Sequence, residues 1–109
     1  VCEDLSTSSV DAVDAVNAYI DAVNNNASDV AAKAGPAVDA LNRSADLVSA
    51  GMSGALSPDL RGALTEWVDA ARGVVAAISG NAGPEDFNAT SSRSNAAREN
   101  ALDRCDAAY

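Results

Sequence analysis

Residues 57–79 read SPDLRGALTEWVDAARGVVAAIS, and this stretch decides the fold class. Ser57 supplies a hydroxyl that accepts an orphan backbone N–H at a helix start. Pro58 fits the first helical position, where its missing N–H costs nothing. Asp59 places negative charge at the positive end of the helix dipole. Behind this start, Leu60, Leu64, Trp67, Ala71, Val74 and Ile78 recur every three or four residues, which is one face of a helix. Gly80 ends the run, and Asn81-Ala82-Gly83-Pro84 reads as a loop.

Working outward, the same period recurs. Val10, Val13, Val16, Ile20 and Val23 place a helix over about 9–24, with Ser8 or Ser9 as its cap and Asn24-Asn25-Asn26 as the following turn. Val38, Leu41, Ala45, Val48 and Met52 give a heptad seam in a second helix over about 28–50, starting at Ser28-Asp29. Gly35-Pro36 predicts a kink or break there, because proline lacks an N–H and crowds the preceding turn. Gly51 and Gly54 bracket its exit. A fourth helix, over about 90–107, carries a thin face of Ala97, Ala101, Leu102 and Cys105. Its start is read either at Thr90-Ser91-Ser92 or as a first turn at Pro84-Glu85-Asp86-Phe87. No segment alternates with period two, so the fold class is all-α. Four helices with short connections predict an antiparallel up-down-up-down bundle in a single domain spanning 1–109.

Cys2 and Cys105 are the only cysteines, one near each end of the 109 residues. An even number of antiparallel helices returns the chain to the pole where it began. Helix count and cysteine placement therefore agree on a terminal disulfide, Cys2–Cys105, and on an oxidising compartment. The competing reading is two buried thiols that merely pack. A staple suits this composition. Alanine is about a quarter of the chain and aromatic residues are 4%, so the core is built from small groups that each bury little area.

The net charge is −9, with no histidine and one lysine, Lys33. Such a chain is repelled by nucleic-acid phosphates and anionic lipid, so neither is expected as a partner. No run of 18 apolar residues is present, so this segment is not expected to enter a membrane. The chain begins at Val1 without an initiator Met, which reads as a mature form or a fragment. Residues 1–32 hold six acids and no base, whereas the last segment holds Arg93, Arg98 and Arg104. Helices one and four are neighbours in a simple bundle, so pairs across that groove are expected.

Chemistry is mostly ruled out by residue type. Without histidine there is no Ser-His-Asp triad, no Cys-His pair and no His-bound metal. No phosphate-cradling glycine loop occurs. Asp11 with Asp14, and Glu66 with Asp69, share helix faces, but paired-carboxylate catalysis needs one acid desolvated beside an ionised partner. The expectation is a solvated acidic face, no catalytic residue, no metal and no cofactor. Haem ligation by Tyr19, Tyr109 or Met52 is set aside, since such residues on helices ordinarily pack. Trp67, the only tryptophan, is expected as the core anchor. Met52 and Leu56, between Ser49 and Ser57, are either a contact patch or apolar caps over the end of the bundle. Three glycosylation-like triplets, at Asn26, Asn42 and Asn88, are read as fortuitous.

Residues 57–79, followed by NAARENALDRCD at 95–106, resemble small exported or membrane-anchored Ala-rich helical domains of mycobacteria and related actinobacteria. In those, a cysteine near each end brackets the domain, and function is commonly unassigned. The resemblance implies export to the cell envelope and supplies no catalytic residues. The helical secretion substrates of the same bacteria carry a Trp-x-Gly turn. Trp67-Val68-Asp69 lies inside a helix instead.

The resulting expectation is a non-enzymatic extracytoplasmic interaction or structural domain, secreted or on the outer face of the envelope, with a protein or cell-wall partner. The alternative is a carrier of a small apolar or lipid ligand held between the helices.

Overall fold

A computed structural model of the chain describes residues 2–25, 30–52, 56–80 and 84–108. They form four helices: α1 (Cys2–Asn24), α2 (Val30–Gly51), α3 (Pro58–Ser79) and α4 (Pro84–Ala108). No strand occurs among the described residues. The helices form an antiparallel four-helix bundle whose long dimension is 46 Å. Helices of 22–25 residues account for about 33–38 Å of that length at ~1.5 Å per residue.

α3 is the backbone of the core. Leu60, Leu64, Trp67, Ala71, Val74 and Ile78 are all buried, joined by Ala63, Val68 and Ala70. The Leu60 N–H donates to Ser57 Oγ at 3.2 Å, so the cap operates as its sequence requires. At the other end the Gly80 N–H donates to the Ala76 carbonyl at 2.8 Å. Gly80 does not use the left-handed conformation; its φ is −90°. A Cβ there would lie 3.0 Å from the Ala76 oxygen, so glycine is favoured by close approach.

α1 begins at Cys2, well before the sequence-predicted start near Ser9. Leu5 is fully buried and holds this early turn in the core. The run Ser6-Thr7-Ser8-Ser9 does not break the helix, because its hydroxyls bond back to earlier carbonyls. Thr7 donates to Glu3, Ser8 to Asp4 and Ser9 to Ser6. Ser8 and Ser9 are thus buried interior residues and not caps. The inward face is also rotated from the expected valine stripe. Leu5, Ser8, Ser9, Ala12 and Val16 face the core, whereas Val10 and Val23 are exposed.

α2 continues through Gly35-Pro36 as one helix, so proline does not break it there. Pro36 and Ala32 are both exposed. The Ala32 carbonyl has no N–H to accept from at Pro36, and an exposed site allows solvent to satisfy such a group. Residues 26–29, including the expected start at Ser28-Asp29 and the Asn26 triplet, lie outside the described residues. So do Gly54, Asn81-Ala82-Gly83 and Tyr109. α4 begins at Pro84, making Thr90-Ser91-Ser92 interior positions. Its first turn carries Glu85 and Asp86, and Phe87 anchors it in the core.

Cys2 and Cys105 are bonded, with Cα atoms 5.8 Å apart. The bond joins the start of α1 to the end of α4 at one pole.

Candidate functional site

The four helix interfaces are unequal. α1 packs closely on α2, α2 on α3, and α3 on α4, but α1 and α4 approach each other closely at few points. Among the described residues, three cross-links span this α1–α4 seam. The disulfide ties one pole. Arg98 Nε donates to Ser9 Oγ at 2.8 Å along the way. Tyr19 and Phe87 meet edge to face, centroids 5.5 Å apart, toward the other pole. That geometry is favourable for the ring quadrupoles.

The expected ion pairs across α1 and α4 are not among those the described residues make. Arg93 bonds Glu66 at 2.9 Å and Arg104 lies 3.9 Å from Asp59, both on α3. Arg72 of α3 bonds Asp46 of α2 at 3.1 Å. Arg93 and Arg104 of α4 pair with the helix that packs tightly beside them, whereas Arg98 bonds Ser9 of α1. Each such exposed pair contributes only about 0–1 kcal/mol, so packing sets the arrangement and charge follows it.

Two clefts line the seam. The first, near mid-helix, is walled by Ala12, Val13, Asn17, Ser91 and Asn95 and reaches Leu41 and Trp67 at its floor. Its volume is about 10 Å³, room for about one water. The second opens beside the disulfide, between Glu3 and Ser6 of α1 and Leu102 and Asp106 of α4, with a volume of about 560 Å³.

Trp67 sits under the first cleft as the largest fully buried side chain. Its Nε1–H donates to Ser44 Oγ at 3.1 Å. Ser44 Oγ is 2.9 Å from Ser8 Oγ, which also contacts the Asp4 carbonyl. An indole nitrogen only donates, and each hydroxyl has one proton. One assignment uses all three protons: Trp67 to Ser44, Ser44 to Ser8, Ser8 to Asp4. This relay links α3, α2 and α1 through the core. The buried polar residues among those described are all serines: Ser8, Ser9, Ser44 and Ser94. None of their oxygens lacks a partner.

Ser44→Ala strips the acceptor from a buried indole N–H, at a cost of about 1–3 kcal/mol. Ser49→Ala, at an exposed position five residues further along α2, should change stability by less than about 0.5 kcal/mol. Chemical denaturation midpoints check both; equal small effects would show that the relay carries no stability.

Met52 and Leu56 are half-buried and pack against the core. Thr65 Oγ1 lies 3.9 Å from the Met52 sulfur, and Arg61 donates to the Leu56 carbonyl at 3.3 Å. Met52 and Leu56 both remain partly exposed at the α2–α3 end. The connector between them, 53–55, lies outside the described residues. Asp11, Asp14 and Asp69 are exposed, and Glu66 is engaged by Arg93. Asn42 and Asn88 both lie within helices. No helix among the described residues is long and apolar enough to cross a membrane.

The molecule is thus of a small all-α class: a four-helix bundle whose first and last helices are clasped by a disulfide. The chain belongs to the Rv2240c four-helix bundle domain family, whose model matches residues 1–106. The family carries a mycobacterial designation, in keeping with the mycobacterial likeness of the helices. No curated protein and no solved structure matches the chain.

Proposed function

We propose that this chain is a non-enzymatic interaction domain working outside the cytoplasm, in a secreted or envelope-anchored actinobacterial protein. The observation that carries the reading is the Cys2–Cys105 bond, which closes the seam between the first and last helices. Structural disulfides persist in oxidising compartments. The remaining chemistry is consistent with an interaction role. Buried polar groups are serines engaged in packing, and the paired acids that catalysis would use stand in solvent or in an ion pair.

The carrier alternative receives less support. The cleft that reaches Trp67 has a volume of about 10 Å³, and the wider one of about 560 Å³ opens to solvent beside Glu3, Ser6 and Asp106, whereas an apolar ligand site of ~300 Å³ or more is lined mainly by apolar side chains. Native mass spectrometry of protein extracted under mild conditions tests the two readings. The bare chain mass, with a protein or wall fragment retained after crosslinking, is the expected result. A stoichiometric lipid adduct would overturn it in favour of the carrier.

A further inference from the structure

The α1–α4 seam combines an open cleft, apolar side chains and exposed acids that form no ion pair among the described residues. Glu3 and Ser6 of α1 and Leu102 and Asp106 of α4 line the wider cleft. Val13 and Asn17 line the narrower one. Val10 lies between the two clefts on α1, four residues after Ser6 and three before Val13, and is 44% exposed. Residues three and four apart are neighbours on a helix surface. Ser6 to Asn17 therefore forms one line of about three turns, roughly 16 Å long.

Charge tells what would cover this line. Glu3, Asp4, Asp11, Asp14 and Asp21 of α1 are exposed, and none forms an ion pair among the described residues. Glu99 and Asp106 of α4 add to them. Arg93 and Arg104 of α4 are turned to α3, while Arg98 reaches across the seam to the Ser9 hydroxyl, a single base against the acids on its rims. A second copy of the chain brings the same charge, −9 overall, and is repelled. So are anionic lipid and nucleic acid.

We propose that the α1–α4 seam is a docking groove for a cationic amphipathic segment of another polypeptide. Apolar residues of that segment rest on Val10, Val13 and Leu102, and its basic residues meet Glu3, Asp14 and Asp106. The proposal rests on the interaction reading above and names its surface. Complementary rim charge acts chiefly through encounter rate and salt dependence, and apolar contacts supply residence.

A photo-crosslinking residue placed at Val10, and separately at Ala76 on the exposed outer face of α3, tests it in cells producing the full chain. The expected result is a crosslink from Val10, and none from Ala76, to a partner segment rich in Lys or Arg at helical spacing. A crosslink from Ala76 alone overturns the groove but leaves the interaction reading standing. A crosslink from neither overturns both. A crosslink from Val10 to a second copy, or to an acidic or uncharged segment, overturns the groove's charge logic. In vitro, a synthetic Leu–Lys amphipathic peptide serves as the probe, followed by NMR. It should perturb Ser6, Val10, Val13, Asn95 and Leu102. Glu3→Lys with Asp106→Lys should weaken it about tenfold or more, and Asp39→Lys with Asp69→Lys on outer faces should leave it within about threefold. Equal losses from the two pairs would overturn the groove.

Discussion

Reduction of the Cys2–Cys105 bond is expected to lower the melting temperature by about 20–30 °C. The bond spans 103 residues of sequence. In the chain-entropy model, closing a loop of that size removes about 4–5 kcal/mol of freedom from the unfolded chain. Near the transition, each kcal/mol moves the midpoint of a domain of this size by roughly 4–8 °C. The core gives little to set against the loss. Ala12, Ala37, Ala45, Ala63, Ala70, Ala71, Ala97 and Ala101 are among its buried residues, and each buries far less apolar area than a leucine. The location of the bond adds a second reason. It ties the one helix interface with little close packing of its own. Cys2→Ser with Cys105→Ser should reproduce the effect of reductant. Thermal melts followed by circular dichroism check this; curves that superimpose with and without reductant would contradict it.

The second large effect is expected at Trp67. Trp67→Ala removes the biggest fully buried side chain and should cost about 3–5 kcal/mol, from lost transfer energy plus the cavity left behind. Trp67→Phe keeps most of the apolar body but takes the indole donor from Ser44. Its cost should be smaller, about 1–3 kcal/mol. As Trp67 is the only tryptophan, unfolding has to be followed by circular dichroism in place of fluorescence. Urea midpoints that fall for Trp67→Ala much further than for Trp67→Phe, at similar slope, support the placement. Equal shifts would mean that the indole packs too loosely to anchor three helices.

How far the sequence reveals this structure differs from helix to helix. α3 is readable end to end, because Ser57, Pro58, the leucine-tryptophan stripe and Gly80 all give the same answer. α1 is readable as a helix but not in its rotation. Val10, Val13 and Val16 suggest the inward face, yet the core takes Leu5, Ser8, Ser9 and Ala12 with Val16. A serine whose hydroxyl bonds its own helix fills little space and permits close approach of a neighbour, but hydropathy counts it as polar. The same blindness hides Ser44. One signal marks it: it lies three residues after Leu41 and four before Val48, on the buried stripe of α2. The weak inward face of α4, with Ser94 among its buried residues, has the same origin. Pro36 does not break α2, since at an exposed position solvent can serve the carbonyl that loses its N–H donor. The α1–α4 seam is legible only in three dimensions. The cysteines place both helix ends at one pole, but how tightly the two helices pack between the poles depends on side chains from all four.

The central claim is that a disulfide closes this bundle in an oxidising compartment, and the state of Cys2 and Cys105 in the cell tests it most directly. Cells producing the chain are quenched in acid, and free thiols are alkylated before any reduction. The intact mass of the chain is then measured. The account predicts no alkylation at either cysteine, and two added groups once reductant is applied first. Alkylation of Cys2 and Cys105 without reductant would contradict it.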